Sequence, residues 1–332
     1  MTIDISQFKT TNALEDFSLR AANDMKDFVA DQIFTPGYIS KKQYKKYQYD
    51  LSNYRRSSTR ASSKAAAQKG DYNVFTTSSE AQLYKYATDI DPQDARDADS
   101  VVGDLQQDAT LLNMEKLMID KEVLTLGKIT TAGNYPSSLN VTLSGMSKWN
   151  NTASDPLADI ITGKTAVKGI CGKLPNAMAI AWEAFLALSN NTSLKDRLKY
   201  TSGQSITLEQ MKNLFQLDEL IVAKAQYNAN NEGSATQSLS TILGNYAVLF
   251  VKDPAQTRRT VTFGRTWYVT GGGSASQPGG WYTYQYTDDT RGSAAGRIQV
   301  IESGMEYDYD FATVDSQSSG KVGAGYLITT PL

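Results

Sequence analysis

The sequence contains no histidine and a single cysteine, Cys171, in 332 residues. Without imidazole there is no serine–histidine–aspartate triad, no cysteine–histidine pair, and no zinc site of any type that draws on histidine. A lone thiol closes no intrachain disulfide, so folding does not rest on an oxidising compartment. No apolar run approaches the ~20 residues of a membrane span, and the mean hydropathy is −0.40, so no membrane partner is expected. The N-terminus, MTIDISQFKTTNALEDF, lacks the basic and apolar regions of a secretory signal. Carboxylates, lysines and tyrosines remain available for catalysis, but no arrangement of them singles out a reaction. The expectation is a non-enzyme with no cofactor and no metal.

The 33 basic and 35 acidic residues nearly cancel, and the resulting charge of −2 gives no global attraction to nucleic acid. Locally they do not cancel. Lys41 to Lys69 holds nine basic residues and one acid, whereas Asp89 to Glu122 holds ten acids and three basic residues. Adjacent blocks of opposite sign suggest complementary surfaces. Three readings of the basic block stand side by side: phosphate and base contacts made by interleaved Tyr and Lys/Arg, a solvated loop, or a segment lying on the acidic helix of a neighbouring copy. On the last reading the contact residues are Arg55, Arg56, Arg60, Lys64 and Lys69 on one side and Asp94, Asp97, Asp104 and Asp108 on the other.

Along the chain, Leu14, Phe17, Ala21, Met25 and Phe28 predict an amphipathic helix from about 12 to 30, broken at Thr35-Pro36-Gly37. Tyr38 to Tyr49 alternates enough to be extended, and residues 52 to 71 carry too little apolar surface to bury themselves. Asp91-Pro92 then opens a long helix, expected over about 92–127, with a stripe of Ala98, Val102, Leu105, Ala109, Leu112, Lys116, Ile119, Val123 and Leu126. Periodicity alone leaves it either a coiled-coil or bundle helix or a spine for a sheet. Asp155-Pro156 starts another helix, after which helices and strands alternate: a buried strand at 176–180, a helix at 182–188, a capped helix from Thr207, and strands at 219–227 and 246–251. The last third is mostly strand and loop, including the alternating Trp281 to Tyr286.

Three motifs are better read as structural. Gly163-Lys164-Thr165 ends like a phosphate loop, but Ala158 stands where the first glycine is required, and a helix C-terminus fits better. Gly271-Gly272-Gly273 opens no helix. Asp288-Asp289 and Glu306, Asp308 and Asp310 lack the glycine and terminal glutamate of a calcium loop and read as solvated carboxylates.

The order of landmarks carries a resemblance. Ile33-Phe34-Thr35-Pro36 leads into a Tyr- and Lys-rich strand, a charged hairpin and one long acidic helix. Leu143-Ser144-Gly145-x-x-x-Trp149, Asp155-Pro156, Pro175-Asn176-Ala177-Met178-Ala179-Ile180, Leu220-Ile221-Val222-Ala223 and Leu243-Gly244-Asn245 follow. This series resembles the major capsid proteins of tailed bacteriophages, of the Hong Kong 97 type. The resemblance implies an α+β fold with an N-arm (1–40), an extended E-loop hairpin (41–90), a peripheral domain with the spine helix (91–164 and 261–309) and an axial α/β domain (165–260 and 310–332). It implies a virion coat protein, made in the host cytoplasm, that self-assembles through hexamers and pentamers into an icosahedral head around double-stranded DNA. A scaffolding protein, a portal and a decoration protein are the partners it brings with it. An encapsulin-like nanocompartment shell and a nucleic-acid-binding protein are the alternatives.

Overall fold

The computed structural model describes residues 27–49, 56–57, 59–63, 65–70, 74–91, 105–198, 206–230, 236, 238–257, 260–270, 281–293, 296–315, 320–329 and 331–332. Within them the chain begins with a one-turn helix α1 (Ala30–Ile33) and strands β1 (Thr35–Ile39), β2 (Gln43–Tyr49), β3 (Val74–Glu80) and β4 (Gln82–Ile90). The long helix α2 (Leu105–Thr130) and a short strand β5 (Asn140–Thr142) come next. An alternating region follows: α3 (Pro156–Cys171), β6 (Ala177–Ala181), α4 (Trp182–Asn190), α5 (Thr192–Leu198), α6 (Leu208–Leu214), β7 (Glu219–Ala223), β8 (Gln226–Asn228), β9 (Leu239–Thr241) and β10 (Tyr246–Phe250). Strands β11 (Gly264–Val269), β12 (Trp281–Ser293), β13 (Gly296–Phe311), β14 (Val314–Asp315), β15 (Lys321–Val322) and β16 (Gly325–Thr329) complete the chain.

Two five-stranded sheets organise these elements. The first has the order β1-β11-β13-β12, with β4 pairing the length of β13 that β11 leaves free. The second has the order β5-β16-β10-β6-β7. The strand β6 is buried at every position and β10 at four of five, as expected of central strands covered on both faces. Helix α3 lies on this sheet, and Gly163 in its middle lets it approach, since a Cβ there would meet the Tyr326 ring at 2.7 Å and Leu249 at 2.9 Å. The Gly163-Lys164-Thr165 motif is therefore a mid-helix packing contact and not a helix end. Lys164 supports this by donating to the carbonyls of Phe215 and Gln216 just past α6.

The chain crosses between the sheets more often than the expected boundaries provide for. Thr35–Ile39 and Gln82–Ile90, assigned to the N-arm and E-loop, are strands of the first sheet, whereas Asn140–Thr142 and α3 belong with the second. One apolar core spans both: Phe34, at its centre, packs edge-on against Phe263 and Phe311 with ring centroids 5.5 Å away in each case. Gly264 makes room for that ring, as a Cβ there would lie 2.2 Å from it.

The N-terminal helix reading falls mostly outside the described residues. Within them helix is confined to Ala30–Ile33, and Thr35-Pro36-Gly37 enters β1 where a break was expected. Proline is tolerated there because, among the described residues, β1 pairs only with β11 at the edge of the sheet. The part of the expected long helix at 92–104 likewise lies outside the described residues, and the observed helix runs through Gly127 to Thr130.

Its buried face agrees only in part with the expected stripe: Ala109 and Leu126 of that stripe are buried, but the face is turned toward polar positions. Helix α2 buries Thr110, Asn113, Met114, Leu117, Lys121 and Thr125, while Leu112 is 41 % exposed and Lys116 is exposed. The polar members of that face are all but one hydrogen-bonded, chiefly to the sheet or to α1. Asn113 donates to the Ile301 carbonyl at 2.8 Å and accepts from Thr88 at 2.6 Å, tying β13 and β4 to the helix. The helix is thus the spine of a sheet and not a coiled-coil strand.

Candidate functional site

Strand β13 presents Glu306, Asp308 and Asp310 on one side, because side chains alternate along a strand. Between them in sequence, Tyr307 is buried and stacks on Tyr84 at 4.5 Å. The three acids were expected to be solvated. They are instead the seat of the β2–β3 hairpin, whose strands pair in register from Gln43↔Glu80 to Tyr49↔Val74.

Lys46 of β2 reaches Asp310 at 2.7 Å and Asp308 at 2.9 Å, with its side chain only 8 % exposed. Tyr44 and Ser79 both donate to Asp308 Oδ2, at 2.7 and 2.6 Å. Lys128, in the last turn of α2, donates to Asp310 Oδ1 at 2.7 Å and to the Tyr309 carbonyl. Further out, Lys42 lies 3.6 Å from Glu80 and 3.8 Å from Glu306. The Tyr44 ring rests on Trp267 of β11 at 5.5 Å. Two ammonium groups and two carboxylates therefore meet at one half-buried point where hairpin, sheet and spine join.

Burial opposes ionisation of Asp308, but hydrogen bonds from Ser79, Tyr44 and Lys46 outweigh it and hold the carboxyl below its usual range. For Asp310 burial is again opposed, here chiefly by the charges of Lys46 and Lys128, with the same net direction. Tyr44 is driven strongly upward by burial and by its bond to Asp308, so it stays a neutral donor. The site ties the hairpin to the sheet and to α2. Among the described residues no group of three or more acids, cysteines or histidines is placed to hold a metal ion.

Beyond this root the chain is exposed throughout its described part, residues 56–57, 59–63 and 65–70. Arg56, Arg60 and Lys69 lie in that stretch, and none forms a salt bridge among the described residues. Asp108 is exposed on α2. Arg55, Lys64, Asp94, Asp97 and Asp104 fall outside the described residues. The structure does not bring Arg56, Arg60 or Lys69 onto Asp108 within one chain. Sequence reasoning counted Lys42 and Lys46 in the basic block without seeing that β13 already holds them. The signal available was Tyr44-Lys45-Lys46 on one strand against Asp308-Tyr309-Asp310 on another, complementary patterns 264 residues apart.

No family model matches the sequence. It is 26 % identical over 136 residues to a major capsid protein of Burkholderia phage BcepMu, a match that spans 44 % of that protein and 41 % of this chain. It is 22 % identical over 256 residues to a major capsid protein of Pseudomonas phage JBD67, covering 75 % of this chain and 81 % of the relative. A phage-related protein from Bordetella bronchiseptica superposes with a TM-score of 0.70 at 18 % identity over 98 % of both chains. The capsid of the cyanophage P-SCSP1u does so with a TM-score of 0.52 at 10 % identity, over 99 % of this chain and 90 % of that one. The chain has the Hong Kong 97-type capsid fold. Among the described residues no helix is long and apolar enough to cross a membrane.

Proposed function

We propose that this protein is the major capsid protein of a tailed bacteriophage, a self-assembling shell subunit that encloses double-stranded DNA. On this reading α2 is the spine helix, and the β2–β3 hairpin with the connecting residues 50–73 is the E-loop. The carrying observation is that loop. Its root is clamped by Lys46, Asp308, Asp310 and Lys128, while its outer part, with Arg56, Arg60 and Lys69, is exposed over every described residue. A loop held rigidly at its base and presenting exposed basic groups has a use when a second copy supplies the other side. The similarity to two phage major capsid proteins supports the same reading. The first sheet with α2 is then the peripheral domain, and the second sheet with α3 to α6 is the axial domain that meets its copies around capsomer centres.

The mechanism is repeated association. Each subunit engages several neighbours, so modest individual contacts sum by multivalency into a closed shell. Binding energy is spent on geometry and not on chemistry, which agrees with a sequence that has no imidazole to offer. Scaffolding protein, portal and a decoration protein are the partners such a shell calls for, and its place is the virion after assembly in the host cytoplasm.

Negative-stain microscopy and sedimentation of the expressed protein test this. Capsomers or closed shells, with the E-loop protected from protease only when assembled, are the expected result. A compact monomer at high concentration with the loop already protected would sink the proposal. Shells filled with protein cargo would favour a nanocompartment, and salt-dependent nucleic-acid binding by a monomer would favour a binding protein.

A further inference from the structure

We propose that residues 12–26 form a helix that lies on an outward apolar strip of α2 in the same chain, along Leu112, Ile119 and Val123. The inference concerns contacts within one chain and stands apart from the shell reading.

Helix α2 carries apolar side chains on two sides. One set, with Met114, Leu117, Leu126 and Ile129, is buried in the body. The other is turned outward: Leu112 is 41 % exposed, and Ile119 and Val123 are only partly buried. At 3.6 residues per turn these three fall within about 40° of one another and make a strip roughly 16 Å long. None of the three joins the apolar clusters that the described residues form. A second apolar strip on a helix that already has a buried face marks a place for another element.

The chain supplies that element next to the strip. Residues 12–26 lie immediately before the described residues and carry Leu14, Phe17, Ala21 and Met25 at spacings of three and four, one apolar side of a helix. Asn12 with Glu15 three positions on is a helix-start signature.

The end of the segment is fixed by α2 itself. The two oxygens of Glu122 accept the backbone N–H groups of Val29 at 2.9 Å and Ala30 at 2.8 Å, and Lys121 pairs with Asp31. Glu122 is one residue from Val123 and three from Ile119, so this anchor sits beside the outward strip. From the anchor the chain advances toward the C-terminal end of α2. Phe34 packs on Phe311 at 5.5 Å, and Lys128 Nζ lies 5.7 Å from the centre of the Phe311 ring. Followed backward, the chain heads for Ile119 and Leu112. The lengths agree: a helix over 12–26 spans roughly 22 Å, and α2 from Leu105 to Ile119 about 21 Å. The anchor also holds the segment at high effective concentration beside the strip, which favours its own chain over a second copy as the occupant.

Hydrogen exchange of the full-length protein, read by mass spectrometry, tests this. An isolated helix of about 15 residues is marginal in water, so protection of 12–26 reports docking. Protection is expected there, and Leu112→Asp should lower it on the order of ten-fold or more while 177–181 and 246–250 keep theirs. Those two central strands show that the body of the variant is folded. A second measurement places cysteines at the end far from the anchor, in a Phe17→Cys and Leu112→Cys double variant bridged with a short bis-maleimide; the native Cys171 is buried and stays out of the reaction. The bridge should form within one chain. Exchange of 12–26 near intrinsic rates in the unsubstituted protein overturns the proposal, and this reading needs no variant. Protection that Leu112→Asp leaves intact overturns it as well. A bridge formed only between chains would put a second copy's segment on the strip and overturn the assignment to the same chain.

Discussion

Lys46 on β2 and Asp310 on β13 sit 2.7 Å apart, nitrogen to oxygen, across 264 residues of sequence. The pair joins the β2–β3 hairpin to the body, and the other oxygen of Asp310 holds Lys128 from α2. Replacing Lys46 by Met keeps most of its length and removes its charge, which leaves Asp308 without a cation and Asp310 with one. Removing one partner of a buried pair costs about 3–5 kcal/mol, and the partial exposure of these aspartates reduces the expected loss to about 1–3 kcal/mol. The loss should be local. Hydrogen exchange should rise across 43–49 and 74–80 while the second sheet keeps its protection.

The same clamp predicts a pH response. Asp308 and Asp310 are held below their ordinary range, so their contribution is present above about pH 4 and disappears as the pH falls through the depressed folded values. Protection of the hairpin root should be level from about pH 8 to about pH 5 and fall only under stronger acid. A hairpin that loosens near neutral pH would contradict the assigned pairing. In Lys46→Met the loss should begin at a higher pH, because the cation that both aspartates share is gone.

How much of this was legible can be judged element by element. Where the signal is local, the sequence carried it. The Thr207-Leu208-Glu209-Gln210 start is a capping box, with the Gln210 N–H donating to Thr207 and the Gln210 side chain accepting from the Thr207 N–H. The strands at 177–181, 219–223 and 246–250 lie where apolar runs predicted them. Asp155-Pro156 opens a helix as expected, yet Asp155 makes no cap bond and pairs instead with Arg197 at 3.1 Å. The spine helix is the instructive failure. Hydropathy chose a stripe that includes the buried Ala109 and Leu126 but also the exposed Leu112, whereas the buried face also takes in Asn113 and Lys121, whose inward placement becomes visible only with their distant partners. Asn113 answers to Ile301 and Glu122 to Val29, and no local pattern encodes a partner 188 or 93 residues away. The acid row on β13 was found in the sequence and given the wrong surroundings for the same reason.

Two glycines in the first sheet test how tightly its two faces are packed. A Cβ at Gly264 would fall 2.2 Å from the Phe34 ring, which is fully buried between two other rings and has nowhere to move. A Cβ at Gly304 would fall 2.5 Å from the Tyr282 ring, which is only partly buried on the outer face. Gly264→Ala should therefore destabilise by about 1–3 kcal/mol, as overpacking of a full core does. Gly304→Ala should cost about 1 kcal/mol or less because Tyr282 can swing outward. Chemical denaturation of both variants side by side checks the order, and equal losses would mean that the outer face is as closed as the core.

Arg56, Arg60 and Lys69 separate folding from assembly. All three are exposed, and exchange of a surface charge with no close partner changes stability by about 0.5 kcal/mol or less. Reversing all three to glutamate should then move the unfolding midpoint by only a few degrees, roughly 2–4 °C for a chain of this size. If these groups seat the E-loop on an acidic surface of a second copy, the triple variant should sediment as free subunits under conditions in which the parent forms capsomers or shells. Asp108→Lys, placing a base on the exposed side of the spine helix, should weaken assembly on its own and partly restore it in the triple variant. Full assembly by the triple variant would instead leave the basic block as a solvated loop, with the shell held by the axial domains. Loss of assembly without any rescue by Asp108→Lys would keep the loop in the interface and move its acidic counterpart away from this helix.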